Sequence, residues 1–146
     1  MEQIKWPFLK QTWGIEFESS KGAYLYTKDG RKILDAAGGA IVNNIGYGRE
    51  EVAGVISRAV INNSYILPPF LTPEREALLD ELRNHWLPPH LTRIHLSSGG
   101  SEANESAVKL AIQYQASRGK PEKNIILTRS LSYHGTTLNM SGISGH

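Results

Sequence analysis

The feature that most limits what this chain can fold into is the stretch Leu96-Ser97-Ser98-Gly99-Gly100-Ser101-Glu102-Ala103-Asn104-Glu105. A strand-like run, Thr92 to Ser97, enters a serine–glycine turn, and a strongly helical run leaves it. The glycines permit close backbone approach, the serines bring hydroxyls, and the first turn of a helix brings unpaired N–H groups and the positive end of its dipole. A strand, such a turn and a helix start together form a ready cradle for a phosphate or another anion. The same turn also serves as a plain helix entry with no ligand, so its neighbours decide the reading.

Reading the chain in order places those neighbours. Residues 1–20 have no strong period; Trp6, Phe8, Trp13 and Phe17 are scattered, as in an arm that packs on another surface. Ala23-Tyr24-Leu25-Tyr26-Thr27 reads as a strand, Lys28-Asp29-Gly30-Arg31 as a turn and Lys32-Ile33-Leu34-Asp35 as the returning strand, which together make a β-hairpin. Residues 36–48 hold Gly38, Gly39, Gly46 and Gly48, a surface connection or a pocket-lining loop. Glu50 to Asn62 is an amphipathic helix with Val52, Val55, Ile56, Ala59 and Val60 on one face. Thr72 caps a second helix that has Pro73 at its first position, Leu78, Leu79, Leu82 and Trp86 as its buried stripe, and Pro88-Pro89 as its stop. A third helix runs from Glu102 to about Arg118, ended by Gly119-Lys120-Pro121, and Asn124-Ile125-Ile126-Leu127-Thr128 is an apolar strand suited to burial on both faces. Residues 92–129 are therefore expected to form a βαβ unit.

In such a unit both strands end at the same edge of the sheet, where open α/β sheets take their ligands. The Gly99-Gly100 turn and the loop Ser130-Leu131-Ser132-Tyr133-His134-Gly135 are then neighbours. An anion cradle beside an exposed aromatic suits a nucleotide or a phosphorylated aromatic cofactor.

Composition narrows the classes. The net charge of +2 implies neither a nucleic-acid nor a membrane partner. With no cysteine there is no disulfide framework and no thiolate chemistry, which is compatible with a cytoplasmic location. No stretch approaches the ~20 apolar residues of a membrane span, and Met1 to Pro7 do not read as a signal peptide. His85, His90 and His95 lack helical i, i+4 spacing, so no metal site is expected. Gly142-Ile143-Ser144-Gly145 is not a nucleophile elbow.

Ser98-Gly99-Gly100-Ser101-Glu102-Ala103-Asn104-Glu105-Ser106-Ala107-Val108-Lys109-Leu110-Ala111 resembles the phosphate-binding segment of the class III aminotransferases, pyridoxal-5′-phosphate (PLP) enzymes of the aspartate-aminotransferase-like fold. Tyr133-His134-Gly135-Thr136-Thr137 resembles their aromatic loop. Residues Lys28 to Asp35 and Asn44-Ile45-Gly46-Tyr47-Gly48 resemble their N-terminal hairpin and glycine loop. The resemblance implies an α/β fold: residues 1–48 as N-terminal arm and β-hairpin, part of the small domain, and residues 49–146 as the start of the large parallel-sheet PLP-binding domain of PLP fold type I, with the domain incomplete.

It also implies PLP as cofactor. Gly100 and Ser101 match the pair whose N–H groups and hydroxyl hold its phosphate, and Gly99 stands where many members have a serine, leaving backbone donors only. Tyr133 matches the aromatic that stacks on the pyridine ring, and His134 follows it, shaping the loop rather than carrying protons. The family's Schiff-base lysine, the aspartate on the pyridine nitrogen and a partner-subunit threonine are expected downstream of His146, so no catalytic residue is assigned within the chain; Lys109 reads as a solvated helix residue. The implied reaction moves an amino group between an amine or ω-amino acid and a 2-oxo acid, in a cytoplasmic homodimer when complete. Tyr47, Trp13 and Leu67-Pro68-Pro69-Phe70 are candidates for shaping the pocket. Other readings are an aminomutase, racemase or decarboxylase of the same fold, a truncated or dead paralogue, and a phosphate- or nucleotide-binding module.

Overall fold

The computed structural model describes residues 14–145, so Trp6, Phe8 and Trp13 of the expected arm lie outside the described residues. The chain divides into two compact units, Met1–Glu76 and Ala77–His146.

The first unit is built on a three-stranded antiparallel sheet in the order β1-β2-β3, with β1 at Phe17–Lys21, β2 at Tyr24–Thr27 and β3 at Lys32–Leu34. The expected hairpin is β2 and β3, in register Tyr24 with Leu34 and Tyr26 with Lys32. Its turn is closed by Thr27, whose amide donates to Arg31 O (3.0 Å) and whose hydroxyl donates to Asp29. Gly30 supplies the positive φ of +86° that the turn demands. Hydrogen bonds from Arg31 and from Thr27 lower the Asp29 carboxyl to about 2. β1 is an addition to the sequence reading; it pairs with β2 through a bulge between Phe17 and Ser19.

The glycine loop that follows is pinned rather than loose. Gly22 and Tyr47 exchange backbone hydrogen bonds of 3.0 and 2.8 Å. Asp35 accepts from Ala37 N (3.1 Å), Gly39 N (2.8 Å) and the Tyr47 hydroxyl (2.7 Å). Between these anchors lies α1, Gly38–Ile41, a single turn with four successive positive φ values of 55°, 59°, 61° and 69°. This is a left-handed turn, closed by Ile41 N to Ala37 O (2.8 Å) and Val42 N to Gly38 O (3.0 Å). Glycine takes that conformation freely, but Ala40 and Ile41 do so only at a cost of ~1–2 kcal/mol each.

α2 runs Glu50–Asn63, as its period predicts. α3 runs Pro73–Glu81; Thr72 caps it, accepting from Arg75 N at 3.3 Å. It continues as a π-helical turn, Leu82–Trp86, before Leu87 turns extended ahead of Pro88. The Arg75 guanidinium donates to the carbonyls of Ile66 (3.1 Å), Leu67 (3.2 Å), Pro68 (3.3 Å) and Phe70, closing residues 66–70 around itself. The α3 stripe is not the buried one expected: Leu78 and Trp86 are exposed and Leu79 and Leu82 half-buried.

The second unit contains α4, Gly100–Ser117, and α5, Leu138–Ser144. Met140 and Ser144 of α5 are fully buried. The βαβ unit expected over 92–129 is present as its helix: residues 92–97 and 124–128 form no strand among the described residues. A strand exists only as half of a ladder, and neither segment has a ladder partner. Ile125 is 81% and Leu127 92% exposed.

Candidate functional site

The site is assembled at the start of α4. Gly99 is its N-cap, fully extended at φ −168° and ψ 174°, and Gly100 opens the helix. No side chain caps this end. The amides of Gly100, Ser101 and Glu102 fall in the first turn, where no intrahelical carbonyl reaches them; the ladder begins with Ala103 N to Gly99 O at 3.0 Å. A Cβ added to Gly100 would meet nothing within 4 Å among the described residues. Packing among those residues therefore does not require this glycine, although it weakens a helix relative to alanine. Donors, dipole and open space coincide at one point, which suits an anionic oxygen cluster.

The loop after residue 129 is seated on that turn. Thr136 N donates to Ser101 Oγ at 3.0 Å, leaving the serine's own proton to donate elsewhere. Gly135, buried at φ +140°, lies so close that a Cβ would stand 2.5 Å from Ser101 Oγ and 2.9 Å from its Cα. Only glycine fits there. Asn104 Nδ2 donates to His134 O at 2.7 Å. Glu105 accepts from Thr137 Oγ1 at 2.6 Å and from Asn139 Nδ2 at 3.1 Å. These two bonds, the Thr137 hydroxyl first, hold its carboxyl below the ordinary carboxylate value.

Of the residues singled out in the sequence, Gly99, Gly100 and Ser101 form the turn, and His134 lies against α4 through its carbonyl. The His134 amide donates to Ser144 Oγ (2.9 Å), and its ring Nε2 is 3.0 Å from Thr128 Oγ1, so it is engaged in holding the loop. Tyr133 is 73% exposed. Lys109 sits on the exposed side of α4. Among the described residues no cluster of His, Cys, Asp or Glu could hold a metal ion.

Asn104, Glu105, Gly135 and Ser144 were missed as contributors. The signal for the first two was present: with Ser101 they fall at i, i+3 and i+4 of one helix face. Ser144 is tied to Met140 O at 2.6 Å inside α5, and Gly145 ends that helix at φ +80° against Ser130 O.

A family model described as aminotransferase class-III matches residues 10–146. The chain is 36% identical over 126 residues to an uncharacterised aminotransferase, YodT, of Bacillus subtilis, covering 86% of this chain and 28% of that protein. It is 30% identical to the putrescine–pyruvate aminotransferase of Pseudomonas aeruginosa, covering 86% of this chain and 27% of that protein. Among solved structures, a thermostable (S)-enantioselective omega-transaminase of Thermomicrobium roseum superposes with a TM-score of 0.83 at 28% identity, over 90% of this chain and 30% of that one. An amine transaminase from an uncultivated Pseudomonas species, solved in a PLP-bound form, gives 0.84 at 26% identity, over 100% of this chain and 34% of that one. The chain spans about a third or less of the length of the relatives it matches.

Proposed function

The chain belongs to the class III aminotransferases, and from that premise we propose that it forms the part of a PLP enzyme that receives the cofactor's phosphate and ring. The observation that carries this is the Gly99-Gly100-Ser101 turn: first-turn amides without intrahelical partners, a serine hydroxyl with its proton to give, and a glycine whose missing side chain leaves open space. Ser101 would hold a phosphate oxygen through its hydroxyl and amide, and Gly100 through its amide. Tyr133 would lie against the ring, a contact of ~1 kcal/mol. His134 would fix the loop without moving a proton. When bound, PLP supplies an electron sink for the negative charge that develops at the amino-bearing carbon.

The reaction proposed for the whole protein is amino transfer between an amine or ω-amino acid and a 2-oxo acid. The pyruvate aminotransferases of Pseudomonas aeruginosa and Paracoccus denitrificans, at 30% and 35% identity, support pyruvate as the first acceptor to try. We further propose that the lysine that would carry the cofactor covalently lies outside residues 1–146, and that the assembly is a cytoplasmic homodimer.

Gly100→Ala in the intact protein tests the site. The added methyl meets nothing among the described residues, so thermal stability should stay the same or rise by up to ~1 kcal/mol. PLP affinity, followed by absorbance titration of the cofactor-free protein, should fall ~10-fold or more, equivalent to ~1.4 kcal/mol. Unchanged PLP binding in the variant, or no PLP binding by the natural protein, would remove the proposal.

A further inference from the structure

Ser101, Asn104 and Glu105 form one stripe of α4, and each engages a different residue of the segment 134–139. The stripe begins at the anion turn itself, and the segment it grips begins one residue after Tyr133. Within the stripe Glu105 differs from its neighbours. Ser101 and Asn104 each make one bond to the loop backbone. Glu105 takes two side-chain donors, Thr137 Oγ1 and Asn139 Nδ2, one on each carboxylate oxygen. Bonds to an ionised acceptor are about twice as strong as neutral ones. Thr137 is the N-cap of α5 and makes no capping bond of its own, so its hydroxyl is given to the carboxylate. The segment is also braced from behind, by His134 N to Ser144 Oγ and Ser132 N to Ser144 O at 2.9 and 3.2 Å. Tyr133 itself has no side-chain hydrogen bond among the described residues, so its ring is aimed by the backbone that these bonds hold.

We propose that Glu105 is a positioning residue of the cofactor site, locking the aromatic loop to the phosphate turn so that the Tyr133 ring is held at a fixed height above it. This rests on the reading that the turn receives PLP. The alternative is that Glu105 only stabilises α4 and α5, in which case its loss would loosen the turn and the loop alike. The two differ in what they predict for ligands. Inorganic phosphate needs the turn alone, whereas PLP needs both the turn and the ring contact.

The test uses the intact natural protein freed of cofactor, titrated separately with PLP and with inorganic phosphate. Glu105→Ala is expected to weaken PLP ~10-fold and phosphate by less than ~2-fold, while altering the circular dichroism band of bound PLP, which reports ring orientation. Thr137→Val, isosteric and lacking the hydroxyl, should show the same pattern at ~3-fold, and it carries the test should Glu105→Ala fail to fold. In a Tyr133→Ala background, Glu105→Ala should cost almost nothing further, since coupled residues are non-additive. Equal losses of PLP and phosphate, no loss of either, or additive losses with Tyr133→Ala would overturn the positioning role while leaving PLP binding intact. If the natural protein binds phosphate and not PLP, the cofactor reading itself fails and this inference falls with it.

Discussion

Each unit of this chain contains a loop clamped by a carboxylate, and the two clamps differ in reach. Asp35 gathers partners two, four and twelve residues away, two of them backbone amides. Glu105 gathers side chains thirty-two and thirty-four residues away. The first is a local closure that winds its loop tightly enough to force Ala40 and Ile41 left-handed. The second is a tie between separate elements, and no non-glycine residue of its loop has a positive φ. Both carboxyls lie below their ordinary values, Asp35 through the Tyr47 hydroxyl first and Glu105 through the Thr137 hydroxyl first. The same chemical device thus serves two ends: one carboxylate sustains a strained turn, the other joins two elements that the chain separates.

The largest effect that separates them is expected at Gly135. A Cβ there would overlap Ser101, and the φ of +140° is unfavourable for any other residue. Overpacking and backbone strain together suggest that Gly135→Ala costs about 3 kcal/mol locally. Amide exchange at Thr136 should accelerate accordingly, while exchange at Gly39 in the other loop stays unchanged. Protection of Thr136 surviving the substitution would mean that the aromatic loop is not seated on α4. A smaller effect of opposite sign is expected at Ala40. Its φ of 61° suits glycine, so Ala40→Gly should stabilise the Asp35-clamped loop by ~1 kcal/mol, measured as slower exchange at Gly39 and Ile41. A destabilised loop would show that Ala40 is not held left-handed.

The same contrast in reach explains what could be read from the sequence. The hairpin was legible because Asp29-Gly30 sits between two short alternating runs, and the start of α3 because Thr72-Pro73 is a local helix signal. The anion turn was legible because its glycines and serines are contiguous. β1 was not, since Phe17-Glu18-Ser19-Ser20-Lys21 has no apolar alternation and owes its form to pairing with β2. The left-handed α1 was not either, because Ile41 is among the last residues to suggest positive φ, and the Asp35 clamp is what holds it there. Glu105 gave no sign of its tie to the loop, because its partners lie beyond any local window. Segments 92–97 and 124–128 carry strand composition without a ladder, because a ladder depends on neighbours that composition does not contain.

The smallest expected effect, and the one that separates the clamps chemically, is their response to pH. Asp35 and Glu105 have folded values below the ordinary 3.8 and 4.5. A lowered acid contributes stability that is fully present above its unfolded value and is lost as pH falls through the folded one. Both loops should therefore loosen in acid, and only modestly, because the groups are partly solvated and screened. Tyr47 supplies the difference. Its hydroxyl is raised above the ordinary 10.0 by donating to Asp35, so its contribution is full below that value and lost as pH climbs through the raised one. The glycine loop should accordingly loosen at both extremes, and the aromatic loop at the acid extreme alone, since neither Thr137 nor Asn139 titrates. Amide chemical shifts of Gly39 and Thr137 followed across pH would show it. Tyr47→Phe should abolish the alkaline change at Gly39, and Glu105→Gln the acid change at Thr137. An alkaline transition at Gly39 persisting in Tyr47→Phe would mean that the Asp35–Tyr47 bond is not what holds the strained turn.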